Sequence, residues 1–224
     1  MIGDRIALVR RWLEEYAPHP HPLLGRDGVV CPYMVRALRR DFVRISGFDV
    51  SGYRPADDAA ADVLADLAHA ELRTNLSRAE QVGPDRTYLV SMIIPAGWPD
   101  AELRGLVDRV HSRIKPAFIR SGFMAGDFWP DHETVGLHNA DFRPFTSPVP
   151  VLGMRPLVPA DLAFFVKHEP TPQSRLRYLR QYAEVFAGTL NAHWAERLAE
   201  ELDTAERDVA AGAGQPSAGA ARHA

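Results

Sequence analysis

Thr87-Tyr-Leu-Val-Ser-Met-Ile-Ile94, closed by Pro95, constrains the fold more than any other segment. An uncharged run rich in β-branched and apolar residues reads as a strand, and such a strand needs cover from other elements. Pro99-Asp-Ala-Glu then opens a long helix with Leu103, Leu106, Val110 and Ile114 as its apolar stripe, and Pro116 is expected to kink or end it. Residues 123–129 and 149–158 read as further strands. A helix of about 20 residues between strands can serve as a crossover, which would make the first two strands parallel.

Helical spacing recurs on both sides of this centre. Residues 3–16 place Ile6, Val9, Leu13 and Tyr16 on one face, and Ala17-Pro-His-Pro-His-Pro22 ends that helix. Pro32 suits the first turn of a helix reaching about Ser46, with Val35, Leu38 and Phe42 inward and Gly47 as its stop. Asp57 and Asp58 open an alanine-rich helix to about Leu76. Residues 173–202 read as the longest helix, carrying Leu176, Leu179, Phe186, Leu190, Trp194 and Leu198. The expected fold is one α+β domain over residues 1–203, a small mixed sheet covered by several helices with a long C-terminal helix. Residues 204–224 lose the apolar period and read as a disordered tail.

Composition excludes several classes of function. A net charge of −3 and pI near 6.3 lack the basic footprint of a nucleic-acid binder. One cysteine in 224 residues rules out an internal disulfide and a multi-cysteine metal site within one chain. There is no long apolar run and the N-terminus does not read as a signal peptide, so the expectation is a cytoplasmic protein without membrane contact. No phosphate-binding glycine loop, zinc-protease histidine pair or serine-hydrolase elbow is present.

Chemistry concentrates in Gly136-Leu-His-Asn-Ala-Asp-Phe-Arg-Pro-Phe-Thr-Ser-Pro-Val-Pro150. Loops on a rigid scaffold commonly carry binding and catalytic groups. His138 can bind haem iron or act as a general base, or it can simply cap or bridge the core. Asn139 and Asp141 can orient its ring or shape the loop. Arg143 offers a planar fork for a carboxylate, and an internal ion pair is the alternative. Phe123, Phe128, Trp129, Phe142 and Phe145 can wall an apolar pocket or pack in the core.

Cys31 precedes a helix start, where unpaired amides favour a thiolate, though a lone cysteine is equally a small buried hydrophobe. Cys31 and Asp141 are the candidate catalytic side chains. His138, Asn139, Arg143 and Phe128 are the candidate cofactor contacts, with His138 as the metal ligand. His19 and His21 read as a surface linker, and His132 as solvated. His69, His111, His168 and His193 lack a second ligand at metal-like spacing.

Leu24-Gly-Arg-Asp-Gly-Val-Val-Cys-Pro32 and Gly136-Leu-His-Asn-Ala-Asp-Phe-Arg-Pro144 resemble the motifs of an uncharacterised bacterial domain family, over residues 18–185. More distantly, Cys31-Pro, Val110-His111, Gly126-Asp-Phe128, His138, Arg143 and Ser147 are similar in order to the YqcI/YcgG family. That family includes haem-dependent oxygenases acting on guanidino or amino nitrogens. The wording around Cys31 departs from it, a tryptophan–proline segment is missing, and Phe-Thr-Ser replaces an arginine–serine pair. The resemblance implies haem b on His138, with Arg143 holding a propionate or the carboxylate of a small amine- or guanidine-bearing substrate. Two other expectations stand beside it: a Cys31 thiol enzyme with His138 as base, and a non-catalytic small-molecule or partner binder. In the last, Tyr178, Tyr182, Phe186 and Trp194 would pack the final helix on a second copy in a homodimer.

Overall fold

The computed structural model describes residues 1–213, which form an α+β fold around a four-stranded mixed sheet. Two compact units divide the chain, Met1–Val158 and the segment from Pro159 onward. The first contains α1 (Ile2–Glu15), α2 (Pro32–Arg39), β1 (Val43–Asp49), α3 (Ala59–Val82), β2 (Val90–Ala96), α4 (Asp100–Arg120), β3 (Phe123–Phe128) and β4 (Val151–Pro156). The second contains α5 (Leu162–His168), α6 (Pro172–Val185) and α7 (Ala192–Ala213).

β2 lies inside the sheet, in the order β1-β2-β4-β3, and every one of its positions is buried. Alternation along the strand divides its side chains between two cores. Val90, Met92 and Ile94 pack with Val9 and Leu13 of α1 and Met34 and Ala37 of α2. Ile93 joins Leu64 and Leu72 of α3 and Leu103, Leu106 and Val110 of α4 on the other side. Gly47 lets α1 approach the sheet, since a Cβ there would stand 2.4 Å from Ile2 Cδ1.

Three expectations need correction here. The helix expected to reach Ser46 stops at Arg39, and residues 43–49 are β1, parallel to β2. Asp41 makes the turn at φ 53, a left-handed geometry that aspartate tolerates, and it breaks the helical run that Phe42 had seemed to continue. The second correction concerns the crossover. α4 does link strands of one direction, β2 and β3, but antiparallel β4 lies between them. The adjacent parallel pair is β1 and β2, joined through α3. β2 also runs through Pro95 to Ala96, and α4 runs through Pro116 to Arg120.

The third correction lies in the C-terminal unit, where the single helix expected over 173–202 is two. Gly188 turns the chain at φ 72, and Asn191 Oδ1 accepts the Trp194 amide to start α7. The two helices pair through Arg175–Asp208 and Arg180–Glu206. α7 continues to Ala213, so residues 204–213 are helical and not part of a tail; residues 214–224 lie outside the described residues. Tyr178 stacks on Phe165 and Tyr182 meets it edge-on; both are buried in this unit's own core, and the Tyr182 hydroxyl donates to Pro159 O.

One polar network is buried between α3 and the sheet. Asn75 Nδ2 donates to Ser91 Oγ at 2.9 Å, and Ser91 Oγ donates to Glu71 Oε2 at 3.1 Å. Ser91→Ala would strand the Asn75 amide away from water, a cost of about 1–3 kcal/mol. Urea unfolding should show a lower midpoint with an unchanged slope.

Candidate functional site

The 22 residues between β3 and β4 form a loop with its own internal bonding. Its neck closes where Ser147 N donates to Trp129 O and Trp129 pairs with Thr146. Further out, Gly136 N donates to Phe142 O and Phe142 N to Asn139 O. The Asn139 side-chain oxygen accepts the Asp141 amide at 2.9 Å, a turn that asparagine forms readily. Arg143 Nη1 donates to the carbonyls of Ala140 and Phe142. Asn139 and Arg143 thus shape the loop.

His138, Asp141 and Arg143 are exposed, while Phe142 is buried against the ring of His21 at 4.9 Å. The segment around Gly25 meets this loop directly. Gly25 adopts φ +74, and a Cβ there would lie 2.9 Å from His138 C and O and from Asn139 Cβ. Arg26 caps its own turn by donating to the carbonyls of Asp27, Val29 and Val30. The two motifs, more than 100 residues apart, are therefore one packed loop pair.

Cys31 does stand at the start of α2, as expected, and its half-buried side chain packs on the apolar cluster of Val9, Leu13 and Ala17. Among the described residues no hydrogen bond or ion pair joins it to His138. Phe128 lies over the facing glycines of β3 and β4: its ring would meet a Cβ at Gly153 at 2.9 Å and one at Gly126 at 3.2 Å. It also packs edge-on to Trp12 at 5.8 Å, so its surroundings are those of a core residue.

A groove of about 620 Å³ opens between α1 and this loop. Trp12, Tyr16 and Phe142 supply aromatic walls, with His21 beside them. Arg11, Glu15, Asp131 and Arg143 bring two charges of each sign. Arg11, Glu15 and Asp131 make no side-chain hydrogen bond or ion pair among the described residues, and Arg143 binds only loop carbonyls. Burial raises the Tyr16 phenol above its usual value. Of the candidate catalytic and cofactor residues Arg143 alone lines this groove, together with Phe142 of the expected aromatic wall and Ser147. His21, read from sequence as part of a linker, lines it too.

A second cluster lies on the α4 side of β3. Asp127 Oδ1 is 3.1 Å from His111 Nδ1, and Asp127 Oδ2 is 3.6 Å from His132 Nε2. His111 Nε2 faces Ala125 O at 3.2 Å, so both its nitrogens meet acceptors. His132 is buried, which corrects its reading as solvated, and it stacks on Trp129 at 4.1 Å. Its Nδ1 accepts the Thr134 amide at 3.2 Å. Burial alone would raise the Asp127 carboxyl, but the His111 bond and the neighbouring His132 outweigh it and hold the group well below the usual range. Only spatial proximity reveals this cluster, because its members are spaced 16 and 5 residues apart on a helix, a strand and a turn.

The fold and the paired loops thus define an α+β protein with a small-molecule-sized groove. The chain belongs to a family described as a domain of unknown function, DUF6875, whose model matches residues 6–197. Neither the curated proteins nor the solved structures contain a match to it.

Two outcomes follow. Gly25→Ala should cost about 1–3 kcal/mol through left-handed strain and collision with backbone, read as a lower melting temperature. Gly28→Ala shares the positive-φ strain at φ +98 but meets the flexible Arg26 guanidinium at 3.3 Å and no backbone, so it should cost less by the collision alone. The second concerns acid. The Asp127 carboxyl is depressed on folding, so its contribution is full above the unfolded value of about 4 and is lost as pH falls through the folded one. Asp127→Asn should therefore be less stable at neutral pH and show a shallower loss of stability on acidification, measured by urea unfolding across that range.

Proposed function

We propose that the chain takes a small molecule carrying both a carboxylate and an amine or guanidine in the groove beside α1. The observation that carries this reading is the set of four charged groups, two of each sign, on aromatic walls and without ion-pair partners among the described residues. Arg11 and Arg143 suit the carboxylate, Glu15 and Asp131 the cation, and the faces of Trp12 and Tyr16 add attraction for a cationic head. The volume lies within the range of small-molecule sites, about 300–1,000 Å³. His21 Nδ1 accepts the Leu23 amide, which leaves the proton of the neutral ring on Nε2 as a donor to a bound oxygen.

L-arginine, with agmatine as its counterpart lacking the carboxylate, tests the reading by calorimetric or NMR titration. Arg11→Ala should weaken L-arginine by about fivefold, the scale of an exposed charge pair, and leave agmatine unchanged. Asp131→Asn should weaken both. Absence of saturable binding by either compound, or indifference to both substitutions, would overturn the reading.

A haem-dependent oxidation of such a substrate, as the YqcI/YcgG likeness implies, is a second reading. It draws support from the meeting of His111 with Asp127, two positions belonging to that likeness. The residues do not fit haem b held by His138, because that side chain is exposed and outside the groove. His21 fits no better, since its Nε2 carries the proton an iron would have to displace. No step is drawn through haem. Titration with haemin decides the matter: a saturable Soret band that survives His138→Ala would give haem another ligand, and no band would remove the reading.

A further inference from the structure

We propose that His132 is a proton-operated latch on the groove wall: neutral, it holds the turn from Trp129 to Thr134 closed, and protonation of Nδ1 releases that turn. Two residues of the turn, Pro130 and Asp131, line the groove, so the latch would set the position of the Asp131 carboxylate. Asp131 sits at φ 58, a left-handed turn position directly before His132.

The holding contacts are specific. His132 Nδ1 accepts the amide of Thr134, two residues ahead, and this fixes the proton of the neutral ring on Nε2. Nε2 is buried and, among the described residues, lacks a partner at hydrogen-bond distance, with Asp127 Oδ2 at 3.6 Å. Stacking on Trp129 and contact with the tilted Phe145 ring leave the His132 ring little room to turn over. A proton arriving at Nδ1 would therefore point an N–H at the Thr134 N–H. That bond must break, and the amide must find water.

Charged groups face the ring from the neighbouring elements. Asp127 on β3 faces His132 and is shared with His111 of α4. Arg104 of α4 lies over the Trp129 ring at 5.0 Å and is 3.9 Å from Glu133, whose side chain is exposed. The carboxylate at Nε2 would attract a ring made cationic, so the new charge has a partner while the turn loses its anchor.

Hydrogen exchange across residues 131–136, corrected for the intrinsic effect of pH, tests the latch in the whole chain without any ligand. Its result is thus separable from the groove reading. In the wild type, protection should fall by about fivefold between neutral and mildly acidic buffer, the worth of one hydrogen bond. His132→Asn keeps an acceptor for the amide two residues on and cannot be protonated, so it should stay protected in both. His132→Phe keeps the stack without the acceptor and should be open in both. Wild-type exchange indifferent to acid, or an asparagine variant that opens as the wild type does, overturns the proposal. Should the variants not fold, the wild-type NMR spectrum decides: the Thr134 amide must move together with the His132 ring, and a stationary amide overturns it.

Discussion

Burial of β2 on both faces is the constraint from which the rest of the first unit follows. Its seven positions leave no side for water, so one core must form against α1 and α2 and another against α3 and α4. The strand's polar exception, Ser91, is tolerated because Asn75 and Glu71 meet its hydroxyl. β4 completes the cover along the strand's second edge, and its pairing with β3 fixes where the long loop leaves and returns.

That loop shows why a dense polar motif need not be a catalytic one. A long connection must satisfy its own backbone groups. Asn139 and Arg143 do this through an amide and two carbonyls, and Gly136 and Gly25 allow the close approaches that the packing demands. The groove lies on the α1 side of this loop.

Asp127 links the sheet to this loop. As the edge strand β3 ends, its carboxylate takes His111 from α4 and faces His132 from the turn beyond. A buried carboxylate between two imidazoles is favourable only where donors meet it, which ties the start of the loop to the packing of α4 on β3. None of the three lines the groove, but His132 directly follows Asp131, which does.

Much of the architecture was legible in residue order. Residues 87–94, the stripe of α4 and the face of α1 identified the central strand and two covering helices, because period and burial are local properties. β1 was hidden, since Val35, Leu38 and Phe42 continue a helical spacing across Asp41, whose left-handed turn only the packed chain imposes. The break at Gly188 was hidden likewise, by apolar residues in phase on both sides. For the site, sequence alone marked the Gly25 and Gly136 segments as specialised and Arg143 as a candidate ligand contact. Tertiary structure alone decided that those segments touch, that His138 faces outward, and that His21, Trp12, Tyr16 and Asp131 share a groove. It alone also brought His111, Asp127 and His132 together. The physical reason is that a side chain's chemistry depends on its neighbours in space, and here those neighbours come from elements that the sheet, not the sequence, sets side by side.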